Sequence, residues 1–157
     1  MSRVESIHIN TRKAAPLEAV EVVEAIAGRG LSGDRRAADA ARSAKQPGRQ
    51  VTLIEAEAIE ALSRDYEVSL APGASRRNIV TRGVYLNHLV GREFHVGAAL
   101  LRGVKLCEPC GHLARLTALV VRRGLVHRGG LNAEILRGGV IRVGDAIVVE
   151  ETGEPGS

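Results

Sequence analysis

The chain is built from short apolar bursts rather than long periodic runs. Ser6 to Asn10, SIHIN, alternates and is bounded by charge, which predicts a strand. Val20 to Ala27, VEVVEAIA, predicts a second strand with one apolar face, and the glycines of the following GRGLSGDRR predict a turn or loop. Residues 37–49, AADAARSAKQPGR, are small and polar and predict a mobile excursion, with helix as the weaker alternative because of the alanines. Gln50 to Ile54 predicts a short strand. Glu55 to Arg64 predicts a helix, since good helix formers run throughout and acids occupy its first turn.

The second half continues in this manner. APGASRR predicts a turn, Asn78 to Thr81 a strand, and Gly83 a loop. Leu86 to Gly91 predicts a helical turn, and Glu93 to Leu106 one or two strands. Leu113, Leu116 and Val120 give His112 to Val121 helical spacing. Asn132 to Leu136 and Val140 to Glu150 predict strands separated by RGG, and GVIRVGDAIVV reads as a final hairpin with Asp145 in its turn. Residues 151–157, ETGEPGS, are expected to be a disordered tail. Strands and helices do not alternate regularly, so a doubly wound parallel sheet is not expected, and neither G-x-G-x-x-G nor a P-loop is present. The expectation is one mainly β domain over residues 1–150, a β-barrel with a few short peripheral helices.

Composition narrows the function classes. Hydrophobic residues make up 45% of the chain, yet it has one Phe, two Tyr and no Trp, so Val, Ile, Leu and Ala must build the core. The same scarcity removes the stacking platforms of single-strand binders, and nucleic acid is not expected as a partner. A net charge of +4 favours an anionic partner. The cations are scattered through GRGLSGDRRAADAARSAK, SRRNIVTRG and VVRRG, which suits several arms reaching toward one small anion. No apolar run approaches the roughly 18 residues of a membrane span, and MSRVESIHIN lacks the apolar stretch of a signal peptide. A cytoplasmic protein with no membrane partner is expected.

The two cysteines, Cys107 and Cys110, stand together in KLCEPCGHL. Pro109 cannot donate a ladder hydrogen bond, so it marks the end of the strand through Val104 and Leu106. A helix expected to begin near Cys110 would place that thiol beside unpaired N–H groups and lower its pKa, favouring Cys110 over Cys107 as a thiolate. A disulfide over so short a loop constrains the unfolded chain very little. A structural zinc site would have to recruit His112 and His127, since a second C-x-x-C or H-x-x-x-H is missing. A redox pair would belong near a βαβ pattern that is not seen. Two buried thiols that merely pack is the plain alternative. In GDRR, the turn amides and guanidinium forks suit phosphate, although in isolation a simple Gly-Asp turn is the better account. Asn78 can donate and accept at once, as a heterocyclic edge requires, or cap a strand end. His127 and Arg128 precede two glycines, where backbone can approach a ligand closely.

In this order, GLSGDRR, RQVTLIEAEAIEAL, LAPGASRRNIVTRGVYLNHLVGREFHVG, LCEPCGHL and HRGGLNAEILRGGVIRVGD resemble the MOSC domain, named for the C-terminal part of molybdenum cofactor sulfurases. The similarity runs from about Val4 to Val149 and is that of a stand-alone bacterial type. The resemblance implies a MOSC-type β-barrel and binding of the molybdenum cofactor, a molybdopterin with a phosphate tail. It implies Cys110 as metal ligand and catalytic residue, with His127 a candidate proton donor. Arg35, Arg77 and Arg128 become candidates for the phosphate and pterin, joined by Asn78 and Thr81 in an Asn-x-x-Thr-like segment. Arg77 stands where the family often has a Glu before that Asn, which adds positive charge. Related proteins reduce small N-hydroxylated substrates. Others carry or transfer sulfur as a persulfide, which is the alternative reading. The partner implied is a separate electron-donor reductase or a cysteine desulfurase, because the chain has no flavin or iron–sulfur signature.

Overall fold

The computed structural model describes residues 2–12, 15–66, 76–106 and 130–150. Its strands are β1 (Arg3–Ile9), β2 (Glu18–Val20), β3 (Val22–Ile26), β4 (Gly30–Leu31), β5 (Val51–Glu55), β6 (Ile79–Arg82), β7 (Glu93–Val96), β8 (Ala99–Leu106), β9 (Leu131–Arg137), β10 (Gly139–Arg142) and β11 (Ile147–Val149). Two short helices, α1 (Ala40–Lys45) and α2 (Ala56–Tyr66), accompany them. An eight-stranded sheet has the order β11-β7-β8-β9-β5-β6-β1-β2, and a three-stranded sheet has the order β10-β3-β4. The fold is mainly β with peripheral helices, as expected.

The large sheet curls toward itself without closing. Ile147 N donates to Ser2 O at 3.0 Å, Val4 N to Asp145 O at 2.9 Å, and Gly144 N to Val4 O at 2.8 Å. These bonds and an isolated Arg3–Ala146 bridge form a seam in place of a continuous ladder, so the expected barrel is a curled sheet. Inside lie Ile7, Val51, Leu53, Ile79, Leu86, Phe94, Leu101, Leu131 and Ile141, all fully buried. Phe94 is the chain's single Phe, so aliphatic packing carries the core. At roughly 25 cal/mol per Å² of apolar surface, each such side chain contributes about 1.5–3 kcal/mol against the entropy of ordering.

β5 and β6 pair in parallel, which requires a crossover, and α2 supplies it. Ala58, Ile59 and Ala61 of α2 are buried, and the small alanines let the helix lie close to the two strands.

Three local expectations change. Val20 to Ala27 is two strands: Val20 pairs with Ile7 in the large sheet, whereas Val22 pairs with Arg142 in the small one. Glu21 carries the chain from one sheet to the other. The final hairpin does not form either. Asp145 does sit in the turn, accepting from Arg142 N at 2.8 Å, but β10 pairs with β3 and β11 with β7. Ile141 and Ile147 each pack into the core from a different sheet, so the turn changes sheets instead of folding back. Within 37–49, Asp39 accepts from Arg42 N at 3.2 Å and caps α1, and Pro47–Arg49 forms a 3-10 turn. The expected helix at His112 to Val121 and the tail 151–157 lie outside the described residues.

Candidate anion-binding site

Asn78 is the polar centre beside the site. Its Oδ1 accepts from Thr52 N at 3.0 Å and Thr52 Oγ1 at 3.1 Å. Its Nδ2 donates to His8 O at 3.0 Å and Asp34 Oδ2 at 3.1 Å. A primary amide offers two acceptor sites and two donors, so this side chain is saturated. Asn78 therefore clamps β1, β5 and the GDRR turn together, and it is not among the residues that line the cavity described below. Thr81 is also fully buried, its Oγ1 donating to Ile54 O at 3.4 Å.

Asp34 joins the clamp to the turn. Its Oδ2 accepts from Asn10 N at 2.8 Å and its Oδ1 from Arg36 N at 3.0 Å. Arg36 Nη1 then donates to Arg49 O at 3.3 Å. Gln50 fixes the other side of the 3-10 turn, its Oε1 accepting from Ile135 N at 2.8 Å.

These bonds frame a cavity of about 610 Å³, lined among the described residues by Arg36, Arg49, Arg77, Lys105, Thr52 and Asn132, with Gln46, Pro47, Gly48 and Val104 completing the wall. Four of those residues are cations and none is an acid. Arg77 is buried, with only 7% of its surface exposed. Arg49 Nη1 is shielded from solvent and has no hydrogen-bond partner among the described residues. Burial, and then Arg42 and Arg35 nearby, hold the Arg49 guanidinium below its ordinary pKa, partly offset by Asp39 and Asp34. Arginine stays protonated across the ordinary pH range, so the orphaned donor remains a cation in need of an acceptor.

The cavity wall includes the end of β8 and the start of β9. Lys105 and Asn132 are register partners, and beyond them Leu106 pairs with Leu131. β8 thus ends, and the chain returns as β9, beside the cation-lined wall. Gly130, at φ +110°, makes that return possible: a Cβ there would sit 1.9 Å from Leu53 O. This close approach is to β5 backbone. Cys107, Cys110, His127 and Arg128 themselves lie outside the described residues.

Of the expected cations, Arg77 lines the cavity. Arg35 does not; its N donates to Asn10 O at 2.7 Å, and with the Asn10 amide turned to face its oxygen toward Arg35, Nε lies 3.3 Å from it. Its neighbour Arg36 lines the wall instead. Arg36 belongs to the GDRR turn whose guanidinium forks suit phosphate, whereas the sequence did not single out Arg49 or Lys105. Arg49 carried one signal, a cation directly after a Pro-Gly turn and before a buried strand.

No group of three or more His, Cys, Asp or Glu side chains arranged to hold a metal occurs among the described residues. No helix among them is long and apolar enough to cross a membrane.

Fold and cavity together define a small, mainly β domain with a cation-lined cavity. The sequence matches the MOSC domain over residues 40–148, and the chain belongs to that family, which is associated with the molybdenum cofactor. Among solved structures, the YuaD protein from Bacillus subtilis is similar at TM-score 0.80 and 19% identity, covering 95% of this chain and 96% of that one. YiiM from Geobacillus stearothermophilus is similar at TM-score 0.77 and 17% identity, with 99% and 78% covered. YiiM from Escherichia coli gives TM-score 0.69 and 17% identity, with 95% and 70% covered. At these identities the likeness is one of fold. No curated protein matches the sequence.

Proposed function

We propose that this chain binds the molybdenum cofactor and reduces small N-hydroxylated compounds. The observation that carries the reading is the orphaned Arg49 Nη1 in an acid-free, cation-lined cavity at the strand ends from which Cys110 is four residues removed. Four extended residues span at most about 14 Å, so Cys110 is tethered within reach of the cavity.

The donor set fits an anionic tail. Arg36, Arg49, Arg77 and Lys105 would hold the phosphate, with guanidinium forks giving direction and Lys105 a point charge. Asn132 presents an amide that can donate and accept toward the pterin. Asn78 supports these residues from behind through Thr52 and Asp34. Cys110 would hold the metal as a thiolate. When bound, the cofactor supplies two-electron chemistry at molybdenum.

The balance of the reaction is an N–OH group plus two electrons and two protons giving N–H and water. The N–O bond breaks, and the electrons come from a separate reductase. His127 is the side chain proposed to deliver a proton to the departing oxygen. The chain's contribution is binding, orientation and charge.

The test is reduction of an aromatic amidoxime by protein produced in cells that make the cofactor, with a reduced viologen as donor. Turnover that is lost in Cys110→Ser and largely kept in Cys107→Ser is the expected result. Turnover lost equally in both variants would point to a paired-thiolate site instead.

A further inference from the structure

We infer that Asp34 is the positioning residue of the anion cavity: one buried carboxylate that aims cations from three separate stretches at a single anion. The inference rests on the cavity being the anion site proposed above. Asp34 is 4% exposed and makes no ion pair among the described residues. Its oxygens accept instead from the N–H groups of Arg36, Asn10 and the Asn78 amide, at 3.0, 2.8 and 3.1 Å.

Two of these bonds lead to the cavity wall. The Arg36 N–H fixes the direction in which the turn presents the Arg36 side chain. Arg36 Nη1 in turn holds the Arg49 carbonyl, which ties the 3-10 turn bearing the orphaned guanidinium. The Asn78 amide locks the start of β6, one residue after Arg77, onto Thr52 of β5. Three lining cations thus hang from one acceptor-only group, each through at most one intermediate residue.

The sign of the effect separates positioning from charge. Asp34 is a negative charge near a site for anions. On Coulomb's law alone, removing it raises anion affinity. If Asp34 positions the cations, removing it lowers affinity, because an Asn at 34 places an NH₂ donor against a neighbouring N–H donor and the turn must shift.

The experiment measures inorganic phosphate binding to the full chain by calorimetry. Asp34→Asn is expected to weaken phosphate about tenfold, the scale of one charge-assisted hydrogen bond. In an Arg36→Ala background the same change should cost clearly less, since the two act through one another. Phe94→Leu, a core change away from the cavity, should lower stability and leave phosphate affinity unchanged. Should Asp34→Asn fail to fold, Asp34→Ser keeps a short acceptor for the Arg36 N–H but cannot reach Asn78, and the same weakening is expected. Equal or tighter binding by the Asp34 variant, with the wild type binding phosphate, overturns this inference alone. A wild type that does not bind phosphate overturns the cavity assignment and this inference with it.

Discussion

The two ends of β6 carry arginines with opposite fates. Arg82, at one end, is paired with Glu5 at 3.1 Å and with Glu60, and these hydrogen bonds, Glu60 first, hold its guanidinium above the ordinary pKa. Arg77, just before the other end, is buried beside a cavity whose described lining has Arg36, Arg49 and Lys105 but no carboxylate. Five residues apart in RRNIVTRG, the two look alike as letters. What differs is the company. Cations gathered at a cavity wall that has no acid of its own are the arrangement that the proposed anion would offset.

The comparison can be broken most severely through the backbone at the Arg77 end. Gly130→Ala would drive a Cβ into Leu53 O at a positive φ, and the expected loss is on the order of 3 kcal/mol or more in denaturant unfolding. A stability change under about 1 kcal/mol would mean that β9 does not approach β5 as closely as described.

Next in size is the removal of a cavity cation. Arg49→Ala and Arg77→Ala are each expected to weaken inorganic phosphate about 10–100-fold, as the loss of charged hydrogen bonds would. Arg82→Ala should leave phosphate binding unchanged. Its stability effect should be small and shrink further with added salt, as for other surface ion pairs. Phosphate binding that responds equally to Arg82→Ala and Arg77→Ala would erase the distinction between the two ends.

The smallest effect concerns His8, whose backbone carbonyl takes one bond from the Asn78 clamp. Burial pushes the His8 pKa below its ordinary 6.5, and its ring meets Ser6 Oγ at 2.9 Å. The unfolded chain therefore takes up a proton that the folded chain refuses. This contribution is fully present above about pH 6.5 and is lost as the pH falls below it. Chemical denaturation across pH 7.5 to 5.5 should show this decline, flattened in His8→Gln.

Much of the fold was legible in the sequence because its signals are local. Alternation in SIHIN, the helix formers of EAEAIEAL and the Gly-Asp turn at 144–145 each specify their own conformation. What could not be read was which strands would pair. Glu21 switches sheets within an unbroken β-prone run, and the turn at Asp145 has the same residues whether its strands pair or part. The site follows the same division. Arg77 was legible as a candidate, but Arg49 earned its place only when the fold left its Nη1 without a partner. Asn78 shows the converse. The four-fold bonding capacity that suits a pterin edge equally suits a three-way strand clamp, and only the neighbours distinguish the two.

The central claim is that cavity and Cys110 together hold a molybdenum cofactor. The most direct test is metal analysis of the purified chain from cells that make the cofactor, with three variants in parallel. The account predicts molybdenum near one per chain in the wild type and in Arg82→Ala, much less in Arg49→Ala, and none in Cys110→Ser. Zinc in place of molybdenum, or no metal in the wild type, would contradict it.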